Sequence, residues 1–254
     1  YLLSFVIVFQ RRPLLPHAWI IAAQPFVLFA AIVPLYWNHK TNVWLMGPLH
    51  MALFFVTAMA CHGELARDRP AARNLTEFYL WMSVGGVLGG MFNALVAPQA
   101  FTSVVEYPIA IALASLLRPT LDAGDRWSRW IDVALPLTFA SALLLAPGVM
   151  AGVPADFKTL GIAAVSLAMA ALVYWVRRRP WRLGLIIATL LFFGMYAGGR
   201  EDVLTAERSF FGIHRVVARG GGAYHLLYHG TTTHGAQLTD PHLAREPLTY
   251  FTRQ

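Results

Sequence analysis

Apolar runs of helical length alternate with short polar or Pro/Gly-rich breaks as far as position 199, and there the pattern changes. Residues 74–98 (NLTEFYLWMSVGGVLGGMFNALVAP) form the clearest run. Asn74 and Thr76 offer N-caps. About 20 apolar residues follow, enough at 1.5 Å per residue to cross a hydrocarbon core of roughly 30 Å. Gly85, Gly86, Gly89 and Gly90 reduce one face of this helix to backbone, the kind of face onto which a second helix packs closely in lipid. Ser83 and Asn93 are the polar groups that could hydrogen-bond across such a contact. The pattern predicts the central helix of a membrane bundle. A dinucleotide loop is the other reading of GGVLGG, but that loop follows a strand and opens an amphipathic helix. Here both flanks are one apolar run.

The remaining runs predict an all-α polytopic membrane bundle of about seven helices. Residues 1–10 read as the end of a helix closed by Arg11, Arg12 and Pro13. Further spans are predicted at 19–37, 43–61, 104–117, 130–145, 157–176 and 183–198. Between them lie a polar turn at 38–42, a charged loop at 62–73, a polar stretch at 118–129, a Pro/Gly turn at 147–156 and the basic knot RRRPWR at 177–182. The last span has the minimum length for crossing, so it either crosses or lies in the interface.

Composition agrees with this division. The chain is 57% hydrophobic and 13% charged, with mean hydropathy +0.53. That charged share is about half the soluble average, which points to an integral membrane protein. The net charge of +7 is mostly arginine beside apolar runs. Loops bearing Arg11, Arg67, Arg118, Arg177 and their basic neighbours hold twelve such residues, and the alternate loops hold Lys40 and Lys158. The arginine-rich side is expected to be cytoplasmic, and the location a bacterial inner (cytoplasmic) membrane. A lone cysteine, Cys61, excludes an intrachain disulfide. The sequence enters at Tyr1 inside an apolar run and reaches Gln254 in mid-pattern, so it is expected to be a fragment of a longer protein.

Past position 200, RSFFGIHRVVA at 208–218, a Gly220–Gly221–Gly222 turn and AYHLLYHGTTTHGAQ at 223–237 predict two or three antiparallel strands. The predicted domains are thus a membrane domain at 1–199 and the start of a soluble β-domain at 200–254. So short a tail buries too little for a core of its own.

Candidate chemistry is sparse. Glu106 and Glu77 lie near membrane depth, where ionisable groups are costly and often functional. Both sit close to the end of a span, which makes them interfacial carboxylates or members of a proton or cation path. His62 and Glu64 read as a solvated loop or a ligand pair. His225 and His229 are spaced for zinc on a helix, but on a strand they stand about 13 Å apart. No cysteine or clustered carboxylate completes a site, and no metal is expected. Nucleophile elbow, Walker loop and Ser-His-Asp order are absent from the sequence.

RSFFGIHRV, YHLLYHGTTTHGAQ and EPLTYF together resemble the opening of the membrane-fused spermidine synthase (polyamine aminopropyltransferase) family. HGELARDRPAARNLTEFYLWMSVGGVLGG resembles that family's membrane part. The resemblance implies a polytopic region, then a small β-domain, then a Rossmann-like methyltransferase fold. It implies decarboxylated S-adenosylmethionine as co-substrate and a diamine as acceptor. Gln237 stands where the family offers a glutamine to the nucleotide sulfonium or methylthioadenosine, and Tyr250 near a tyrosine lining the diamine pocket. Neither the Gly-rich loop nor the catalytic aspartate has a counterpart before Gln254, so no catalytic residue or cofactor is assigned within these residues. The expected partners are the bilayer, a small diamine or polyamine, the nucleotide sulfonium, and a second copy in a homo-oligomer, with no nucleic acid. The alternative is a transporter or sensor of cationic amines whose helical bundle does the work.

Overall fold

The structure, a computed structural model, describes residues 1–10, 14–32, 43–121, 126–152, 154–197, 202–246 and 248. Helices α1 (Leu2–Phe9), α2 (His17–Ile32), α3 (Val43–Arg67), α4 (Leu75–Met91), α5 (Ala97–Ala100), α6 (Glu106–Leu116), α7 (Arg126–Ala151), α8 (Ala155–Val176) and α9 (Pro180–Ala197) precede strands β1 (Asp202–Ser209), β2 (Gly212–Arg219), β3 (Tyr224–His229) and β4 (Thr232–Leu238). The expected order of helices before an antiparallel sheet is present. One compact unit combines Tyr1–Ala71 with Pro108–Gly198, and the other combines Ala72–Tyr107 with Gly199–Gln254.

The first unit is organised around α2 and α9. Leu28, Ala31 and Ile32 of α2 are buried in one cluster with Leu183, Ile186, Ile187 and Leu190 of α9, joined by Val173 and Val176 of α8 and Leu53 of α3. A second cluster joins Ile20 and Ile21 of α2 to Met59 and Ala60 of α3. Helix α9 begins at Pro180, whose missing N–H costs nothing in a first helical turn. Gly184 leaves room beneath it for Leu116 of α6. Helix α3 also runs on through HGELAR, read from sequence as loop. Glu64 pairs there with Arg67 one turn on and with His17 of α2, so the charged end of the helix is held in place.

About seven spans were expected. Among the described residues, two helices are long and apolar enough to cross a membrane, Trp44–Arg67 and Ala72–Ala100. Several others are shorter over their described residues. Helix α6 has 11 residues, a rise of about 16 Å against the roughly 30 Å required. Helix α2 is described over 16 residues, and the continuous apolar described parts of α8 and α9 are Ala163–Val176 and Pro180–Phe193. The turn predicted at 38–42 lies outside the described residues.

In the second unit α4 passes through one wide π-turn, Phe92–Val96, into α5. Pro98 explains the wide turn. Proline cannot donate to the carbonyl four residues back and its ring crowds that carbonyl, so the ladder opens by one residue. The Ala97 N–H accordingly reaches the Phe92 carbonyl. Asn74 does occupy the N-cap of α4, but its side chain makes no capping bond. No residue of α4 is buried, and a Cβ added at Gly85, Gly86, Gly89 or Gly90 would meet nothing within 4 Å. Within its own unit the glycine face of α4 is open.

The sheet is a four-stranded antiparallel meander in the order β1-β2-β3-β4. The unforeseen strand is β1, whose largely exposed residues show little alternation. Val217 on β2 is its fully buried residue. Gly212 closes the first hairpin at φ +139°, and Gly220, Gly221 and Gly222 turn the second at +60°, +65° and +90°, conformations that residues with a Cβ rarely adopt. His234 is left unopposed where Leu227 faces Gly235 and Tyr228 faces Thr233.

The two classes of glycine respond oppositely to substitution. Gly184→Ala drives a methyl group into the Leu116 side chain and lowers stability by about 1–3 kcal/mol. Gly89→Ala, on the open face, gains up to about 1 kcal/mol of helix propensity. Thermal unfolding of both variants in detergent, followed by circular dichroism, checks the opposite signs.

Candidate functional site

An ion pair joins the two sequence segments of the second unit. Arg208, at the end of β1, places Nη2 2.6 Å and Nη1 2.9 Å from the two carboxylate oxygens of Glu106. The same Nη1 donates to the Ser103 carbonyl at 2.7 Å. Both side chains are nearly covered, 12% and 11% exposed. A planar guanidinium matched to both oxygens is the strongest geometry such a pair adopts. The Arg208 hydrogen bonds hold the Glu106 carboxyl below its ordinary pKa, and the carboxylate raises that of Arg208 in return. Glu106 is thus an engaged structural anion at the head of α6.

Beside this pair lies a cavity of about 380 Å³ bounded by Asn93, Pro98 and Val104 on one side and Arg208, Phe210 and Gly212 on the other. Asn93 does not hydrogen-bond across to another helix. It donates to the Gly89 carbonyl of its own helix at 3.0 Å, and Ser83 donates likewise to Tyr79 at 2.9 Å. Glu77 stands exposed in the first turn of α4, where a carboxylate complements the helix dipole.

Gln237 is exposed on β4, directly opposite His225 of β3. Its amide donates to the Ala244 carbonyl at 3.2 Å, holding the loop that follows the strand. Tyr250 lies outside the described residues. His225 and His229 occupy one strand, as the pattern predicted. His229 instead stacks on His214 at 4.4 Å, with the rings 8° apart, and donates from Nε2 to the Phe211 carbonyl at 3.1 Å. No group of three or more His, Cys, Asp or Glu among the described residues is arranged to hold a metal ion.

The first unit buries polar groups that sequence reasoning passed over. Gln24, fully buried, accepts from Arg118 Nη1 at 2.8 Å and donates to Thr57 at 3.4 Å. Arg118 also donates to the Arg177 carbonyl at 3.2 Å. Its Nε has no acceptor among the described residues, and burial pulls its pKa down to about 10. Arg182 donates from Nε to Asp132 at 2.5 Å. His62 is a buried core group. The Ser4 hydroxyl gives its proton to the Tyr1 carbonyl at 2.6 Å and accepts from His62 Nδ1 at 3.2 Å, so this serine is not a poised nucleophile. A lone glutamine in IIAAQPFV was the available signal for the network, since polar groups in apolar runs need partners. Arg118 had been counted toward topology alone.

Compared with family models, with curated proteins and with solved structures, the chain matches none.

Two outcomes follow from these contacts. Gln24→Leu strands a buried guanidinium and costs about 1–3 kcal/mol, and adding Arg118→Met recovers much of it. Urea unfolding in detergent of the single and double variants measures this. Glu106→Gln lowers Tm at neutral pH. Because the folded carboxyl has the lower pKa, its contribution is complete above the ordinary carboxylate range and is lost as pH falls through the lowered value. The Tm gap between the native chain and Glu106→Gln closes by roughly half or more between about pH 7 and about pH 3. A gap independent of pH contradicts the assignment.

Proposed function

We propose that this chain is the membrane part and the opening sheet of a spermidine-synthase-like aminopropyltransferase anchored in the bacterial inner membrane. The observation that carries the reading is the antiparallel meander β1–β4, which holds both RSFFGIHRV and YHLLYHGTTTHGAQ in consecutive strands. A small β-domain of this kind is what the resemblance implies ahead of a nucleotide-binding fold. The two helices long enough to cross, with the shorter apolar helices of the first unit, supply the anchor. The bundle of about seven segments, with its arginine-rich face in the cytoplasm, is part of the same proposal.

The chemistry sets what these residues can contribute. Aminopropyl transfer is the attack of a neutral amine on a carbon beside a sulfonium, and a carboxylate nearby takes the amine proton. Asp202, Glu207, Asp240 and Glu246 sit on the sheet or in the loop after it, and none gathers with a second acid into a cavity described above. The role proposed for Gln237, and for Tyr250, is to border the nucleotide sulfonium and the diamine. Proton removal is assigned to the nucleotide-binding half that the resemblance implies.

A transporter or sensor of cationic amines needs a free carboxylate for the ammonium. Glu106 has both oxygens on Arg208, so in this arrangement it is not the group that would take an ammonium.

The test uses the natural protein that carries this chain, reconstituted with putrescine and decarboxylated S-adenosylmethionine. Release of methylthioadenosine, falling on the order of tenfold in Gln237→Ala, supports the proposal. No release rejects it. Uptake of labelled polyamine into proteoliposomes, abolished by Glu106→Gln, favours the rival.

A further inference from the structure

The first hairpin ends in two exposed phenylalanines. Phe210 and Phe211 are 83% and 82% exposed, among the most exposed large apolar residues described. They occupy the two-residue turn between Ser209 and Gly212. The turn is well fixed. Ser209 Oγ accepts from the Phe211 N–H at 3.2 Å, and the Phe211 carbonyl accepts from His229. Its base is clamped by Arg208 to Glu106 and Ser103. Exposure here is a held conformation, not the fraying of a loose end.

The place of the turn matters more than its exposure. Phe210 and Gly212 share a cavity with Asn93 and Pro98, so the tip lies beside the last turns of the long apolar helix that ends at Ala100. Leu95, Val96 and Val104 on that neighbouring stretch are also exposed. The residues of this surface are apolar or uncharged apart from Arg208, which Glu106 neutralises. Large contiguous apolar patches mark interaction sites, and this one continues the uncovered surface of a helix long enough to cross a bilayer. The end of such a helix lies at the level of the headgroups, where aromatic side chains concentrate. A tip fixed beside that end lies at the same depth.

We propose that Phe210 and Phe211 insert into the interfacial layer of the bilayer crossed by α4, so that the β-sheet is docked on the lipid surface by its first hairpin. The Arg208–Glu106 pair sets the depth of insertion by fixing the hairpin to the segment that leaves the helix. The opposite end of the sheet, the turn at Gly220–Gly222, stands about 25 Å away along β2 and faces water.

The inference rests on α4 crossing the membrane, and the experiment separates the two. Cys61 is the only cysteine, so a Cys61→Ser chain carrying one new cysteine can be labelled at one place with an environment-sensitive fluorophore. Cys61→Ala serves as a second background should the serine variant not fold. Labels at Phe210→Cys, Leu88→Cys and Ala223→Cys are read in phosphatidylcholine vesicles containing nitroxide-labelled phosphatidylcholine, and with aqueous iodide as the opposing quencher. The expected result is a blue-shifted emission at 210 and 88, with most of it quenched by the nitroxide lipid, while 223 is quenched by iodide. Adding Arg208→Gln to the Phe210→Cys chain restores iodide quenching at 210. Lipid quenching at 88 with iodide quenching at 210 overturns the docking and leaves the anchor. A label at 210 shielded from both quenchers also overturns it, since protein then covers the tip. Iodide quenching at 88 removes the membrane crossing on which the docking depends.

Discussion

A carboxylate forked onto a guanidinium 102 residues away makes the second unit a unit. It joins the sheet beginning at Asp202 to the segment that follows the long helix, beside the packing of α5 on β1. The pair is worth most where water is scarce, and both side chains are nearly covered. It also uses up the carboxylate that looked most functional in the sequence. The first unit is built differently. Its cohesion is apolar packing of α2 and α9 with their neighbours, and the Gln24–Arg118 contact is one of the polar bridges buried within it.

The helical periodicity and the change of pattern near residue 200 were legible, because both arise from local side-chain spacing. The hierarchy of the helices was not. Residues 74–98 are the most apolar and glycine-rich run, yet α4 buries nothing, while the less conspicuous LGLIIATLL of α9 lies at the centre of the core. Apolarity records what a helix tolerates around it, lipid or protein, and cannot tell the two apart. Helix ends were misread for a related reason. HGELAR looked like a loop because it is charged, but its charges are partnered by His17 and by one another. The site was least legible of all. Glu106 was visible as an acid near a span, but nothing local marked Arg208 as its partner, since that pairing exists only once the chain has folded back on itself.

For the functional reading, the polar groups divide by environment. Buried ones such as Gln24, Arg118, Ser4 and His62 are satisfied largely by one another or by carbonyls and serve packing. Those on the sheet, Gln237 and the His214–His229 stack among them, are exposed or half-buried.

The interleaving of the two units has a consequence for synthesis. Glu106 leaves the ribosome 102 residues before its partner. At about 5–20 residues per second that is an interval on the order of ten seconds. Throughout it four more helices emerge while the carboxylate waits, charged and uncompensated, next to the long apolar helix. A charged carboxylate is costly to draw into hydrocarbon, and that cost is lifted by pairing only once the strand bearing Arg208 has been made.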